Sequence, residues 1–522
     1  MTDVAVDWKS GLARGTAGSG FSTERASEEV GNVGYSTRSF AVVESSESQS
    51  TKANMPGEYG YDLLILGGGS AAFAAAIKAR DLGARVAIVE QDTVGGTCVN
   101  VGCVPSKALL RAAEHYWRAG HSPYAGVPTS SGEVDLPALV AQKADLVDRM
   151  RREKYEDLLD HYDIGLIYGT ARFVDPETVE VDGQRLRAFR YLVVTGADAW
   201  IPPIEGIDRV DYLTSTTALE LTDVPGQLIV VGANAIGLEL GQLFLHLGSR
   251  VTFVEALDRI APCEEPEVST ALQAHLESQG AVVHTAARTT SAGRAGDRIW
   301  LDVGTGDDAV RLEAERLLIA TGRRARTEGL GLEAAGVDVD NRGQIQVKDT
   351  METSNPVVYA AGDVTSHPQF VYVAALGGSI AAENALRDTS RRIDFATMPR
   401  VTFTTPAIAS VGLTEAQARE AGHRVVTSTV PLDVVPRALV DHATDGLVKL
   451  VADEATGSLL GVHILAEGAG DVIQAAVMAL KYRAGIDEIA DTYHSYLTMA
   501  EALKLAAQGF NKDVKTLSCC AA

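Results

Sequence analysis

The stretch YDLLILGGGSAAFAAAIKARDLGARVAIVE, residues 61–90, decides the fold of this chain. Its first six residues, Tyr61 to Leu66, form a compact apolar run that predicts a buried strand. An Ala-rich segment that runs to Asp81 predicts a helix, and Arg85 to Glu90 predicts a second strand. This order of elements is a βαβ unit, which favours an α/β fold with a parallel sheet.

The turn between the first strand and the helix carries the pattern G-x-G-x-x-A, with Gly67, Gly69 and Ala72 at the fixed positions. Glycine permits the tight turn, and the helix N-terminus can then meet a pyrophosphate. Glu90 ends the next strand, where an acid can accept hydrogen bonds from a ribose hydroxyl. A glycine turn alone is weak evidence, because such turns also serve helix–sheet packing. Strand, turn, helix and acid together predict a dinucleotide site.

A second unit of this kind begins at Gln227, where an apolar strand leads into a helix that ends near Leu247. Its turn contains Gly232 and Gly237, with Asn234 in place of the middle glycine. Asn tolerates a positive φ better than other non-glycine residues, so we expect the turn to survive. The sequence therefore predicts two nucleotide-binding units.

The second unit also bears on the choice of nicotinamide nucleotide. Its second strand, which starts at Arg250, ends in Glu255. A carboxylate there can accept both ribose hydroxyls of NADH and would repel the 2′-phosphate of NADPH. Arg259 could reach a phosphate, but it could equally neutralise Glu255 or Asp258. We expect NADH to be accepted well and leave NADPH as the alternative.

Three further glycine turns follow apolar strands, at Gly196, Gly322 and Gly362. The last of them is followed directly by Asp363. Each one taken alone is more often an ordinary turn than a binding site.

Four of the five cysteines fall in two tight pairs, Cys98 with Cys103 and Cys519 with Cys520. So few cysteines in so long a chain do not make a secreted disulfide framework, so we interpret them as chemical groups. Pro105 suits the first turn of a helix, which places Cys103 where the helix dipole stabilises a thiolate. Two buried structural cysteines are the alternative. The remaining thiol, Cys263, we interpret as incidental.

The segment GGTCVNVGCVPSK, residues 95–107, resembles the redox signature of the flavoprotein disulfide reductases. The resemblance extends in chain order over about Tyr61 to Ala522 and implies FAD and a nicotinamide nucleotide, in this family usually NADPH. It further implies that Cys103 lies against the flavin and that Cys98 is the exchange thiol. By the same resemblance Lys107 and Asp363 contact the flavin. Together with the motif residues, the candidate cofactor-binding residues are Gly67, Gly69, Ala72, Glu90, Gly96, Thr97, Lys107, Gly196, Gly232, Gly237, Glu255, Gly322, Gly362 and Asp363.

Most disulfide reductases of this family carry a His-Pro near the C-terminus with a Glu five positions after the His. Here Glu501 aligns with that Glu, so Tyr496 occupies the His position. A phenol with a pKa near ~10 is a poor proton shuttle at neutral pH, which disfavours thiol disulfide substrates. A tyrosine oxygen can instead face a bound metal.

From Tyr496 to the end, the chain resembles the tail of the mercuric reductases, a branch of the same family. Adjacent thiols at the terminus can exchange onto a soft metal ion. The resemblance implies a homodimer with shared active sites, in which the tail of one subunit passes thiol-bound Hg(II) to the inner pair of the other. The implied metal ligands and catalytic groups are Cys98, Cys103, Cys519, Cys520, Tyr155 and Tyr496. Alone, Tyr155 is more often a half-buried helix residue, and a terminal Cys pair can be incidental.

We predict an α/β fold with two Rossmann-like nucleotide-binding domains, for FAD and NAD(P), and an α+β C-terminal dimerisation domain. The FAD-binding domain spans 58–205 and 325–397, the NAD(P)-binding domain 206–324 and the dimerisation domain 398–522. Residues 1–57 are rich in Ser, Thr, Gly and Glu, and we interpret them as a flexible arm or a degenerate metal-binding remnant.

The bulk properties limit the partners. Lys and Arg total 46 against 69 Asp and Glu, a formal net charge of −23 that disfavours nucleic acid and anionic membranes. No apolar run reaches the ~18 residues of a spanning helix, and the start lacks a signal-peptide pattern, so we expect a cytoplasmic protein. The expected function is reduction of Hg(II) for mercury detoxification. The alternatives are a dihydrolipoamide dehydrogenase-like disulfide reductase and a thiol protein that sequesters mercury.

Overall fold

The structure is a computed structural model that describes residues 59–305, 308–387 and 389–517. The predicted arm, 1–57, and the terminal pair Cys519 and Cys520 lie outside the described residues. Within the described ranges, no helix combines the length and the apolar character needed to cross a membrane.

The described strands are, in chain order, β1 Tyr61–Leu66, β2 Val86–Glu90, β3 Gly165–Tyr168, β4 Ala171–Asp175, β5 Thr178–Val181, β6 Gln184–Val193, β7 Ala197–Ala199, β8 Tyr212–Leu213, β9 Gln227–Val231, β10 Arg250–Val254, β11 Val282–His284, β12 Arg288–Ala295, β13 Arg298–Thr305, β14 Asp308–Ala314, β15 Arg316–Ile319, β16 Arg323–Ala325, β17 Val358–Ala360, β18 Arg400–Thr402, β19 Ala407–Gly412, β20 Val425–Pro431, β21 Leu447–Asp453 and β22 Leu459–Ala466.

The described helices are, in chain order, α1 Ser70–Asp81, α2 Gly96–Asn100, α3 Cys103–Gly120, α4 Leu136–Arg151, α5 Asp157–His161, α6 Ala235–His246, α7 Pro266–Ser278, α8 Val371–Arg387, α9 Glu415–Glu420, α10 Pro436–Asp441, α11 Ala469–Lys481, α12 Ile486–Asp491 and α13 Glu501–Gln508. A π-helical turn, Arg152–Glu156, joins α4 to α5.

The first sheet has the strand order β3-β2-β1-β6-β5-β4, with β17 paired to β6. Strands β1, β2, β3, β6 and β17 are parallel where they pair, and β4 and β5 add an antiparallel edge. The predicted first strand, Tyr61–Leu66, has the same bounds as β1, and five of its six residues are buried. Such an apolar strand is typical of a parallel sheet covered on both faces.

The second sheet has the order β11-β10-β9-β15-β8, and all of its pairs are parallel. A separate antiparallel sheet, β12-β13-β14, shares an apolar core with it through Leu301 and Ile229. The predicted unit that begins at Gln227 is therefore β9-α6-β10. Two Rossmann-like units are present, and the α/β fold class is confirmed.

The third main sheet is antiparallel, with the order β18-β19-β22-β21-β20. Helices α11 and α13 cover it, with Ile473 and Ala502 buried in the shared core. These elements lie past Met398, where the sequence predicted a separate α+β domain.

A buried lysine links the second unit to this third sheet. Lys449 on β21 is 1% exposed. Its Nζ lies 3.0 Å from a carboxylate oxygen of Glu265, 2.8 Å from Glu267 and 2.9 Å from Glu415. Glu265 and Glu267 lie at the start of α7, and Glu415 begins α9. Burial alone lowers the pKa of Lys449, but its hydrogen bonds with the three carboxylates hold that pKa above its usual value.

We expect Lys449→Met to lower the free energy of unfolding by about 3–5 kcal/mol, because it leaves the buried carboxylate of Glu265 without its counter-charge. Arg424→Met is the control, since its 2.6 Å pair with Glu454 is largely exposed and such pairs contribute about 0–1 kcal/mol. Guanidinium unfolding followed by tryptophan fluorescence measures both. Equal losses in the two variants would contradict the assigned role of Lys449.

Candidate active site

The first glycine of the turn after β1 is packed so closely against neighbouring backbone that a side chain does not fit there. Gly67 has φ +108°, and a Cβ placed on it would lie 2.6 Å from the carbonyl oxygen of Val194. Glu90 accepts hydrogen bonds from the backbone N–H of Gly68 at 2.7 Å and of Asp92 at 2.9 Å. The carboxylate is thereby fixed at the end of β2, beside the turn. This arrangement fits a dinucleotide with its pyrophosphate at the start of α1 and its ribose near Glu90.

The redox segment is hydrogen-bonded to this same turn. The backbone N–H of Gly95 donates to the carbonyl oxygen of Gly68 at 2.8 Å. Gly96 has φ +62°, and a Cβ on it would lie 2.7 Å from Cα of Gly69. Two stretches of backbone therefore meet without a side chain between them, which places α2 directly beside the predicted pyrophosphate site.

We expect Gly96→Ala to yield protein that retains little FAD, because its Cβ pushes against the backbone of the turn that holds the cofactor. Gly83→Ala is a matched control: Gly83 also has a left-handed φ, +81°, but nothing lies within 4 Å of the position of its Cβ. Flavin absorbance per chain after purification is the measurement. Full flavin content in Gly96→Ala would contradict the close approach.

Of the other glycine turns predicted to contact a cofactor, two lie where the chain passes between the parallel sheets and one follows β17. Gly196 and Gly322, with φ +75° and +123°, precede β7 and β16, which pair antiparallel as the chain passes between the two parallel sheets. Gly362 has φ +74° at the end of β17, and burial raises the pKa of the adjacent Asp363. Arg323 lies 3.6 Å from Asp363, and its buried Nε has no hydrogen-bond partner among the described residues. These polar groups fit the polar part of a cofactor.

The two redox cysteines lie in two consecutive helices. Cys98 is in α2, and Cys103 is the first residue of α3, as the position of Pro105 predicted. A hydrogen bond from Cys98 lowers the pKa of Cys103 to about 7, and the charge of Lys107 contributes, although burial opposes both. The same hydrogen bond and burial raise the pKa of Cys98. In the reduced pair the thiolate is therefore favoured on Cys103 over Cys98.

Lys107 has a partner that the sequence analysis missed. Its Nζ lies 2.7 Å from Oε2 of Glu239, which is buried on α6 of the second unit. The other Glu239 oxygen accepts the backbone N–H of Phe403 at 2.9 Å, and the Lys107 ammonium lies over the Phe403 ring. The signal available in the sequence was the single acid of the mostly apolar helix AIGLELGQLFLH. Glu239 positions Lys107, and Lys107 in turn favours the Cys103 thiolate.

We expect Lys107→Met to raise the pKa of Cys103 by about one unit, from about 7 towards 8, because a thiolate loses a nearby positive charge. Arg111→Met is the control, since Arg111 lies one turn further along α3 and pairs with Glu114. The rate of iodoacetamide labelling at Cys103 of the reduced protein, located by mass spectrometry and followed against pH, gives the midpoint. An unchanged midpoint in Lys107→Met would show that its charge does not reach Cys103.

Tyr155 lies beside the redox pair. It belongs to the π-helical turn Arg152–Glu156, and its ring packs edge-on against Phe73 with centroids 4.9 Å apart. Its hydroxyl is hydrogen-bonded to that of Ser70 over 3.3 Å. Burial raises the pKa of Tyr155, and the charges of Cys98 and Cys103 add to the effect. The structure therefore brings together three predicted metal-site residues: both inner cysteines and this tyrosine.

Tyr496 lies in the loop between α12 and α13, and 51% of its surface is exposed. Glu501 accepts hydrogen bonds from the backbone N–H of Arg437 at 3.0 Å and of Leu497 at 3.4 Å. The acid that pairs with a histidine in other members of the family therefore holds the loop backbone here. Cys519 and Cys520, the remaining predicted ligands, lie outside the described residues, and Cys263 is exposed.

The glycine turn after β9 has the same close backbone contacts as the turn after β1, but the conformation of Asn234 differs from the one expected. Gly232 has φ +97°, and a Cβ on it would lie 2.5 Å from the carbonyl oxygen of Ala320, while one on Gly237 would lie 1.8 Å from that of Gly232. Asn234, however, has φ −104° and ψ −169°, an extended conformation. The turn survives with Asn234 in it, as expected, but the expected reason was wrong, because this position does not adopt a positive φ. The N-cap residue of this turn is extended, and Gly69, with φ −90°, adopts the same conformation.

Comparison with family models agrees with this geometry. Residues 61–378 match the model of the pyridine nucleotide-disulphide oxidoreductases, and residues 398–507 match the dimerisation domain of the same family. The chain therefore belongs to the pyridine nucleotide-disulphide oxidoreductases. FAD and a nicotinamide nucleotide are the cofactors of this family, and the dimerisation domain supports a homodimer.

Within that family the chain is similar to mercuric reductases. It is 50% identical to the one from Streptomyces lividans, covering 88% of this chain and 98% of that protein. The mercuric reductase of Staphylococcus aureus is 46% identical over 99% of this chain and 94% of its own length. That of Lysinibacillus sphaericus is 49% identical, over 89% and 85% respectively. The resemblance to mercuric reductases drawn from the sequence is confirmed.

Solved structures share the fold at lower identity. A Cu(II) complex of the flavoprotein disulfide reductase RclA from Escherichia coli superposes with a TM-score of 0.78 at 28% identity, covering 87% of this chain and 99% of that one. LpdA from Mycobacterium tuberculosis gives a TM-score of 0.76 at 27% identity, over 86% and 99%. The predicted arrangement of two nucleotide-binding units and a dimerisation domain is confirmed.

Proposed function

We propose that this chain reduces Hg(II) to Hg(0) with electrons from NAD(P)H, passed through FAD and the Cys98–Cys103 pair. The observation that carries the proposal is the redox pair itself: two cysteines in consecutive helices, with the thiolate favoured on Cys103 and with Tyr155 beside them. The identity of about half the residues to mercuric reductases supports the choice of substrate.

The residues around the pair supply the conditions that the reaction needs. When bound, FAD would accept a hydride from NAD(P)H and pass on two electrons at a time: a first pair, with two protons, would open the Cys98–Cys103 disulfide to two thiols, and a second pair, from another NAD(P)H, would reduce Hg(II). The thiolate form of Cys103, favoured by Lys107, is the form that binds a soft metal ion. Two electrons per Hg(II) balance the reduction to Hg(0).

We assign delivery of the metal to the C-terminal pair. Cys519 and Cys520 of one subunit take Hg(II) from external thiols and pass it by ligand exchange to Cys98 and Cys103 of the other. Tyr496 faces the metal on this route in place of a proton-transferring histidine. Its exposure within the single chain is consistent with a position at a subunit boundary.

This assignment separates the chain from a dihydrolipoamide dehydrogenase-like reductase, the nearest alternative. Such an enzyme needs an acid–base group to protonate the leaving thiolate. Here Tyr496 stands at that position, and Glu501 is already engaged by two backbone N–H groups. A protein that only stores mercury would not need the two nucleotide turns. Because NAD(P)H supplies the electrons, we place the enzyme in the cytoplasm.

The decisive experiment is oxidation of NAD(P)H that depends on Hg(II), measured with an excess of a small thiol. We expect Cys98→Ala to abolish it. Cys519→Ala combined with Cys520→Ala should retain FAD and the redox disulfide but lose at least about tenfold in turnover, because thiol-bound Hg(II) can no longer be handed over.

The control is Cys263→Ala, which removes an exposed thiol elsewhere in the chain and should leave turnover unchanged. Full turnover of the double tail variant at high thiol would refute the delivery role. Absence of any Hg(II)-dependent oxidation in the unaltered protein would refute the proposed function as a whole.

A further inference from the structure

The two nucleotide-binding units of this chain match each other closely. In each, the first glycine of the turn donates its backbone N–H to the end of the neighbouring strand at 2.8 Å, Gly67 to Val89 and Gly232 to Val254. In each, the helix that follows is 12 residues long. The strand, turn and helix of the second unit therefore repeat those of the first, and positions around the two turns can be compared.

The match extends to the acid at the end of the second strand. Glu90 accepts the N–H of Gly68 at 2.7 Å, and Glu255 accepts that of Ala233 at 2.8 Å, with the partners 22 residues apart in both units. The second oxygen of each carboxylate accepts a further N–H at 2.9 Å, from Asp92 and Leu257 respectively. Both carboxylates are thus fixed in the same position relative to their turns.

In nucleotide-binding folds of this type, the residue at this position contacts the adenosine ribose. An acid at the end of the second strand binds the hydroxyls of an adenosine ribose, whereas an arginine nearby accommodates a 2′-phosphate. The adenosine ribose of FAD carries no such phosphate, in agreement with Glu90. We propose that Glu255 is the residue that selects the nicotinamide nucleotide, and that it selects NADH over NADPH. The proposal rests on the nucleotide role of the second unit.

The charges around Glu255 act in the same direction. Its side chain is buried, with 7% of the residue exposed, so solvent screens its charge poorly. The next residues are Ala256, Leu257 and Asp258, which offer no positive charge. A 2′-phosphate placed against this carboxylate meets like charge, and such a clash discriminates between ligands.

The first arginine after Glu255 is already engaged. Arg259 donates from Nη2 to the carbonyl oxygen of Pro262 at 2.9 Å and to that of Glu264 at 3.4 Å. Its Nη1 lies 3.6 Å from a carboxylate oxygen of Asp258. Binding a 2′-phosphate would require Arg259 to leave these partners. The guanidinium of Arg259 therefore points towards the loop between β10 and α7, to which Arg259 itself belongs.

The test uses ADP-ribose and 2′-phospho-ADP-ribose. The two ligands carry no nicotinamide and differ only by the phosphate on the 2′-hydroxyl of the adenosine ribose. Isothermal titration calorimetry with the FAD-loaded protein gives a dissociation constant for each. We expect the unaltered protein to bind ADP-ribose at least about tenfold more tightly. Glu255→Gln keeps the shape of the side chain and removes its charge, so it should reduce this preference at least about fivefold, chiefly by tightening binding of the phosphorylated ligand.

Asp297→Asn is the matched control, because it removes an exposed, well-screened negative charge in the turn between β12 and β13 of the same unit. It should leave the preference within about twofold of that of the unaltered protein. Equal or tighter binding of 2′-phospho-ADP-ribose by the unaltered protein overturns the proposal, whether or not the Glu255 variant folds. An unchanged preference in a Glu255→Gln protein with full FAD content overturns it too.

The binding measurement needs no Hg(II) and no turnover, so it separates this proposal from the proposed function. A protein that prefers ADP-ribose but fails to reduce Hg(II) keeps the role of Glu255 and loses the mercury assignment. A protein that reduces Hg(II) but prefers the 2′-phosphorylated ligand keeps the mercury assignment and refutes the role of Glu255.

Discussion

The approach of two backbone segments, at Gly69 and Gly96, is the constraint on which the active site depends. It brings the start of α2 against the turn that precedes α1, and the hydrogen bond from Gly95 to Gly68 holds it there. A dinucleotide at that turn and a redox pair on α2 and α3 are thereby placed side by side. Electron transfer between a cofactor and a disulfide needs this proximity, and neither segment could supply it alone.

A second set of contacts fixes the site from outside the first unit. Glu239 on α6 holds Lys107 on α3, and the backbone of Phe403, next to β18, holds Glu239 in turn. One thiolate, on Cys103, therefore depends on parts of the chain from all three main sheets. The charge state of the redox pair is a property of the assembled fold and not of the CVNVGC segment by itself.

The local elements could be predicted from the sequence because their signals are local. The run Tyr61–Leu66, the start of α3 at Cys103 and the acid at Glu255 each follow from periodicity, a proline or a motif spacing. The partners of Lys107 and Lys449 could not be predicted, because they lie far along the chain and only folding brings them together. The conformation assumed for Asn234 was wrong for a different reason: the middle residue of such a turn is extended, so the position does not require a positive φ.

The π-helical turn Arg152–Glu156 has a consequence for how Tyr155 can vary. A π turn amounts to one additional residue inserted in an α-helix. Deleting one residue here would restore regular winding with the flanking helices in register, but it would turn the side chains inside the π turn in new directions. The phenol would then leave Ser70 and the redox cysteines, even if every residue of the active site were unchanged. The length of this helix, counted in residues, is thus as much a part of the active site as the tyrosine itself.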